Sequence, residues 1–198
     1  MSKFTYRYIN VKEKNWDLSG NYHLILWDLD GTLYSIPKLV KKIKRRLIFK
    51  PLNLFEITNF KKTEHKISKE RRDDSYHLEN YHEDFQRMQD FINDHLHESL
   101  ILEKSRDAFE KFNHEGIEQI VVSEYPISDK LEILGLKKYF SAAYSSPVDF
   151  QCWKPNKKMA KNLIQMHDFS RGLILFGDRD DTDGVLFQNL LKELSESH

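Results

Sequence analysis

The chain has 198 residues, 39% of them hydrophobic and 31% charged, with a formal net charge of zero. That length holds one α/β core and an inserted or appended second unit, and the neutral balance gives no support for nucleic-acid binding by the whole chain. The single cysteine, Cys152, excludes an intrachain disulfide framework. No apolar run approaches the roughly 20 residues of a membrane span, and MSKFTYRYINVKEKNW has no apolar signal centre, so a cytoplasmic protein away from membranes is expected.

Residues 3–11 carry aromatic and β-branched residues in partial alternation and predict an edge strand. Residues 12–22 are polar and end in the turn signal Ser19-Gly20-Asn21. Leu24-Ile25-Leu26-Trp27 then reads as a strand buried on both faces. It breaks off in Asp28-Leu29-Asp30-Gly31-Thr32. Two carboxylates at the end of a buried strand are hard to explain as packing, because each is expensive to desolvate without a partner. A bound divalent cation is one remedy, since hard cations take carboxylate oxygens, and Gly31 permits the tight exit such a site needs. An acidic turn after a strand is the plainer alternative.

Pro37 opens a helix in which Leu39, Val40, Ile43 and Leu47 recur at helical spacing. Its other face, Lys41, Lys42, Lys44, Arg45 and Arg46, reads as solvated rather than anion-attracting. Pro51 ends this helix, and Leu52, Leu54, Phe55, Ile57 and Phe60 form a second apolar cluster before a polar stretch from Lys61 to Asp74. A longer helix is predicted over about 75–97 on the stripe Leu78, Tyr81, Phe85, Met88 and Ile92. Residues 36–98 therefore read as a helical unit without strands. Its histidines, among them His65, His77, His82, His95 and His97, lack ligand spacing with acids on one face.

The α/β pattern then resumes. A helix from Ser105 to Glu115 with Gly116 as C-cap precedes a strand from Ile117 to Val122, which ends at Ser123. A short helix spans Ile127 to Leu134 and a weaker strand Phe140 to Ser145. Lys154-Pro155-Asn156 begins a helix carrying Met159, Leu163 and Met166. A strand from Leu173 to Phe176 runs into Gly177-Asp178-Arg179-Asp180-Asp181-Thr182-Asp183-Gly184, and a helix from Val185 to about Ser195 closes the pattern. Such alternation implies a Rossmann-like, doubly wound parallel sheet, whose ligands sit beyond the carboxyl ends of the strands. Asp28, Ser123 and Asp178 each fall at such an end, and Lys154 follows the third strand, so the four converge.

Asp-x-Asp-Gly-Thr after a hydrophobic strand resembles the first motif of the haloacid dehalogenase-like phosphohydrolases. Ser123, Lys154 and Gly177 to Asp183 match the family's other three motifs in order, and the resemblance covers residues 23–35 and about 99–190. It implies a core formed by residues 1–35 and 99–198, with a helical C1-type cap, residues 36–98, inserted between the first two motifs. It also implies a Mg²⁺-dependent phosphohydrolase that cleaves small-molecule phosphate monoesters through an aspartyl phosphate. By that resemblance Asp28 is the nucleophile, and Asp30 protonates the leaving oxygen and later deprotonates water. Ser123, Lys154 and Thr32 hold phosphoryl oxygens. Asp28, Asp178, Asp183 and the Asp30 backbone carbonyl hold Mg²⁺. Asp30 favours phosphate hydrolysis over the carbon-halide branch; a phosphosugar mutase and a catalytically weak binding or regulatory descendant are the alternatives. A small phosphorylated metabolite is the expected partner, with no nucleic acid, and the protein is expected as monomer or homodimer.

Two features depart from the family pattern. Glu124 stands where relatives often carry Asn, which sets an acid beside the phosphate pocket. No fifth strand is expected after the last helix, where the family usually adds one, and Phe4 to Val11 is expected instead to cover a sheet edge or face near the Leu173–Phe176 strand. Asp180 and Asp181 read as solvated loop acids.

Overall fold

The computed structural model describes residues 4–49, 54–72, 75–77, 79 and 82–196. Strands β1 (Tyr6–Asn10), β2 (Leu24–Asp28), β3 (Glu118–Ser123), β4 (Ala142–Ser145) and β5 (Leu173–Gly177) form one parallel sheet in the order β1-β5-β2-β3-β4. The α/β, Rossmann-like doubly wound sheet expected from the alternating pattern is thus the observed fold.

Continuous apolar runs form the central strands because helices cover both faces. Ile25, Trp27, Val121, Ile174 and Phe176 face Ala108, Phe109 and Phe112 of α4 (Glu103–His114). Leu24, Leu26, Ile120 and Leu175 face the other way, towards α7 (Lys157–Met166) and α8 (Val185–Glu196). Trp27 stacks on Phe176 with ring centroids 4.1 Å apart. Its indole N–H donates to Gln119 Oε1 at 3.0 Å, and Gln119 Nε2 donates to the Phe109 carbonyl at 2.9 Å. That chain satisfies the polar groups inside an otherwise apolar layer. Gly116 takes φ +68° as the left-handed cap that stops α4.

β1 lies parallel to β5, in register from Tyr6 opposite Leu173 to Asn10 opposite Gly177. Ile9 is 3% exposed, and Val11 N donates to the Gly177 carbonyl at 2.8 Å. The amino-terminal segment therefore covers the sheet edge beside β5, as its strand-like composition anticipated.

Between β2 and α4 lie α1 (Ile36–Phe49), α2 (Leu54–Arg72) and α3 (His82–Asn93), and no strand occurs among the described residues of 36–98. Ile67, Phe85, Met88 and Ile92 join the same buried cluster as Trp27 and Val121. Phe85 stacks on Tyr125 at 5.8 Å and meets Trp153 edge-on at 6.3 Å. Trp153 Nε1 donates to Glu70 Oε2 at 2.8 Å, so α2 is tied to the loop that precedes α7.

Here the structure adds a helix to a stretch the sequence left unassigned and shortens another. The polar stretch from Lys61 is helix as far as Arg72, where α2 ends. Its Lys, Glu and Arg residues are good helix formers, while buried Thr63 and Ile67 are too sparse to register as a period. Of the helix expected over 75–97, the described residues form α3 over His82–Asn93. Glu70 instead accepts from the Ser75 and His77 backbone N–H groups, through its carbonyl and its Oε2, and turns the chain. Pro51, Leu52, Leu78 and Tyr81 lie outside the described residues, as do the side chains of Leu47, Leu54, Phe55, Ile57 and Phe60. Among the described residues no helix is long and apolar enough to cross a membrane.

Candidate active site

Asp28 is the last residue of β2 and is 5% exposed. Its Oδ1 accepts from Lys154 Nζ at 2.7 Å, and its Oδ2 from Thr32 Oγ1 at 2.9 Å. Lys154, almost wholly buried, also pairs with Asp183. Asp183 sits in a π-helical turn after β5, Asp180–Gly184. Its Oδ2 accepts from the backbone N–H groups of Asp178 and Arg179, both at 3.0 Å. Asp28, Asp178 and Asp183 bring carboxylate oxygens within 4.8 Å of one another, the only such acidic, His or Cys group among the described residues.

Two glycines make room for this convergence. At Gly31, φ is +94° and a Cβ would lie 2.7 Å from Asp178 Oδ2. At Gly177 a Cβ would lie 2.2 Å from Asp183 Cβ. No larger residue lets the two loops approach so closely.

One buried ammonium serves two carboxylates, so negative charge is in excess. Burial pushes the Asp28 carboxyl up to about 8 although Lys154 opposes it, and Asp183 adds to the rise. Burial also raises Asp178, against the pull of Lys12, whose Nζ lies 3.3 Å from Asp178 Oδ2. The buried Oδ1 of Asp178 accepts no hydrogen bond among the described residues and has only the Arg179 guanidinium near it, at 3.8 Å. Three carboxylates converging at the strand ends, two of them raised by burial, make a donor set that fits a hard divalent cation.

Asp30 faces elsewhere. Its Oδ2 accepts from Ser123 Oγ at 2.8 Å and its Oδ1 from Lys130 Nζ at 2.7 Å, with the Tyr34 hydroxyl on the same oxygen. Burial pushes Asp30 up, but Lys130, Tyr34 and Ser123 outweigh it and hold the carboxyl below its usual range. The Asp30 side chain is therefore outside the three-carboxylate group. Ser123 and Thr32, expected at phosphoryl oxygens, here donate to Asp30 and Asp28.

Lys130 went unrecognised in the sequence. It is fully buried on α5 (Ser128–Ile133). A signal existed, since Ile127, Leu131 and Leu134 place position 130 on the apolar stripe of that helix. The Glu124 partners were equally hidden. Its Oε2 receives Arg179 Nη2 at 2.7 Å and Arg71 Nη2 at 3.3 Å, so the acid set beside the phosphate pocket is paired with two guanidiniums. Asp180 and Asp181 are exposed and lie outside the carboxylate group, as expected of solvated acids. Lys41, Lys44, Arg45 and Arg46 are exposed on α1 and Lys42 is half-buried, while Lys44 also lines the cavity over the acids.

Above the acids lies a cavity of about 510 Å³ whose charged end is formed by Asp28, Asp30 and Asp178, with walls from α1, α2 and α3. Ser123, Lys154 and Asp183 are buried behind that charged end.

A doubly wound parallel sheet with acids gathered at its carboxyl edge, beneath a ligand-sized cavity, defines an α/β enzyme of Rossmann-like build. Residues 25–183 match the family model of the haloacid dehalogenase-like hydrolases, and the chain belongs to that family. Among solved structures it is similar to YfnB of Bacillus subtilis, a HAD-hydrolase bound to magnesium, at 15% identity and TM-score 0.63, covering 85% of each chain. It is similar to a HAD phosphatase from Thermococcus onnurineus at 17% identity and TM-score 0.55, over 84% of this chain and 82% of the other. An L-2-haloacid dehalogenase from Xanthobacter autotrophicus aligns at 10% identity and TM-score 0.52, over 77% and 69%. At such identities these likenesses establish the fold. No curated protein matches the chain.

Proposed function

We propose that this hydrolase is a Mg²⁺-dependent phosphatase that cleaves small-molecule phosphate monoesters through an aspartyl phosphate on Asp28. The observation that carries the reading is the buried Asp28 carboxylate, grouped with Asp178 and Asp183, with Asp28 and Asp178 lining the cavity. A phosphate dianion and a carboxylate repel each other, so attack requires positive charge between them. Asp28, Asp178, Asp183 and the Asp30 backbone carbonyl would hold Mg²⁺, which supplies that charge.

The remaining steps belong to the chain. An Asp28 oxygen attacks phosphorus, the bond to the ester oxygen breaks, and the departing oxygen takes a proton from Asp30. Water then attacks the phosphorus of the acyl phosphate and gives its proton to Asp30, and Asp28 is restored. The donors around Asp30 favour its anion and suit this second, basic role. The arriving phosphate dianion, as a like charge, favours the protonated form needed first. Lys154 stays beside Asp28 as a fixed positive charge, and Ser123 and Thr32 turn their hydroxyls to phosphoryl oxygens.

Residues 36–98 act as a cap on a core of residues 1–35 and 99–198. The cap excludes bulk water and macromolecules, which points to a small phosphorylated metabolite and away from nucleic acid. Support comes from α1, α2 and α3 walling the cavity, and from Arg71 and Glu70 of α2 reaching Glu124 and Trp153. Asp30, a second acid two residues after the nucleophile, supports phosphate over carbon-halide chemistry. Phosphate release from a panel of monoesters with Mg²⁺, beside Asp28→Asn and chelator-stripped protein, tests the reading. Release unchanged in either control rejects it.

A further inference from the structure

Resting on the phosphatase reading, we propose that the substrate is the phosphate ester of an apolar alcohol, whose carbon skeleton lies between α1 and α3. The cavity has two chemistries. At one end stand Asp28, Asp30 and Asp178; the walls beyond them carry Leu39, Val40 and Ile43 from α1 and Phe91 and Ile92 from α3. Leu39, Val40 and Ile43 sit one and then three residues apart, so a single face of α1 looks into the space. Val40 is 40% exposed and lines both this cavity and a shallower one beside Pro37, Lys41 and Arg45. Contact with the carbons of a ligand is what would cover it.

The polar groups on these walls are mostly already in use. The Tyr34 hydroxyl goes to Asp30 and the Tyr125 hydroxyl to Glu64. Neither hydroxyl is therefore free to meet a ligand. Glu124 is occupied by Arg71 and Arg179. Lys44 and Lys61 are exposed. A polyhydroxylated sugar placed here would surrender water from its hydroxyls and recover few partners, whereas methylenes and aromatic carbons gain from the same transfer. The volume, about 510 Å³, falls within the roughly 300–1,000 Å³ of small-molecule sites.

The test uses the whole chain in Mg²⁺ with two readouts. Calorimetry follows binding of straight-chain alkylphosphonates from ethyl to hexyl, which lack the scissile ester oxygen. Phosphate release is measured in parallel on ethyl, hexyl, phenylpropyl and glycerol phosphates. Affinity should rise about fourfold for each added methylene, and hexyl phosphate should exceed glycerol phosphate at least about tenfold in kcat/KM. Val40→Asn and Ile43→Asn should flatten the dependence on chain length; Val40→Asn lies at an exposed position that tolerates a polar side chain. Affinity independent of chain length, or preference for glycerol phosphate, overturns the proposal while phosphate release still upholds the phosphatase reading. Chain-length-dependent binding without turnover of any ester defeats the phosphatase reading and leaves the apolar ligand class supported. If no phosphonate binds, the proposal is overturned.

Discussion

Gly177→Ala tests how the acid group is wired into β5. The new methyl would lie 2.2, 2.4 and 2.5 Å from Asp183 Cβ, Cγ and Oδ2, more than an ångström inside ordinary contact. Asp183 has nowhere to retreat. It is fully buried, Oδ2 holds two backbone N–H groups, and Oδ1 pairs with Lys154. Overpacking of this kind costs about 1–3 kcal/mol, and loss of one charge-assisted N–H bond about 1.5–3 kcal/mol more. The variant should lose about 2.5–6 kcal/mol, a large part of a typical domain's stability. It should also bind Mg²⁺ more weakly, because one of three carboxylates is displaced. Urea denaturation followed by circular dichroism, with calorimetric Mg²⁺ titration, reads both effects. Stability within about 0.5 kcal/mol of the parent, together with unchanged Mg²⁺ affinity, would refute this account of the β5 loop.

Lys130→Met removes the cation paired with Asp30 at 2.7 Å and should cost about 3–5 kcal/mol at neutral pH. Because Asp30 is held below its usual range, the contribution of the pair is present above the ordinary carboxylate value and lost as pH falls through the lowered one. The gap between parent and variant should therefore close on acidification; equal stability at neutral pH would show that the pair contributes nothing. Asp28 has the opposite sign. Its folded value lies above 3.8, at about 8, so metal-free protein should lose stability as pH rises through that window. Mg²⁺ added near neutrality should release protons to an indicator dye, and metal-free Asp28→Asn should lack the loss; stability rising through the window in the parent alone would contradict the burial argument. Ile9→Ala, at a 3%-exposed position of β1, should cost about 2–5 kcal/mol in thermal or urea unfolding; an unchanged melting temperature would mean that the amino-terminal strand contributes no packing.

The core was legible in the sequence because its signals are local. Leu24 to Trp27 and Leu173 to Phe176 are apolar runs that end in acids, and both are strands with acids at their carboxyl ends. Phe4 to Val11 declared itself by composition, and Tyr6 to Asn10 pair with β5. What stayed hidden depends on partners distant in the chain. Lys130 and Asp30 are 100 residues apart, and Arg71 and Arg179 meet Glu124 from separate elements. Glu124 alone therefore reads as a liability, and the hydroxyl of Ser123 gives no hint that it donates to Asp30. The α2 helix was missed for another reason: helix-forming charged residues carry it, and too few of its buried residues are apolar to produce a period.

The most direct measurement is chemical. Protein incubated with a hydrolysable phosphate ester and Mg²⁺ is quenched in acid, which preserves an acyl phosphate, then digested and mapped by mass spectrometry. One added phosphoryl group should appear on the peptide containing Asp28, and it should vanish in Asp28→Asn and after chelation. Steady phosphate release by Asp28→Asn, or a phosphoryl group carried on any other residue, would contradict the assignment of Asp28 as the nucleophile.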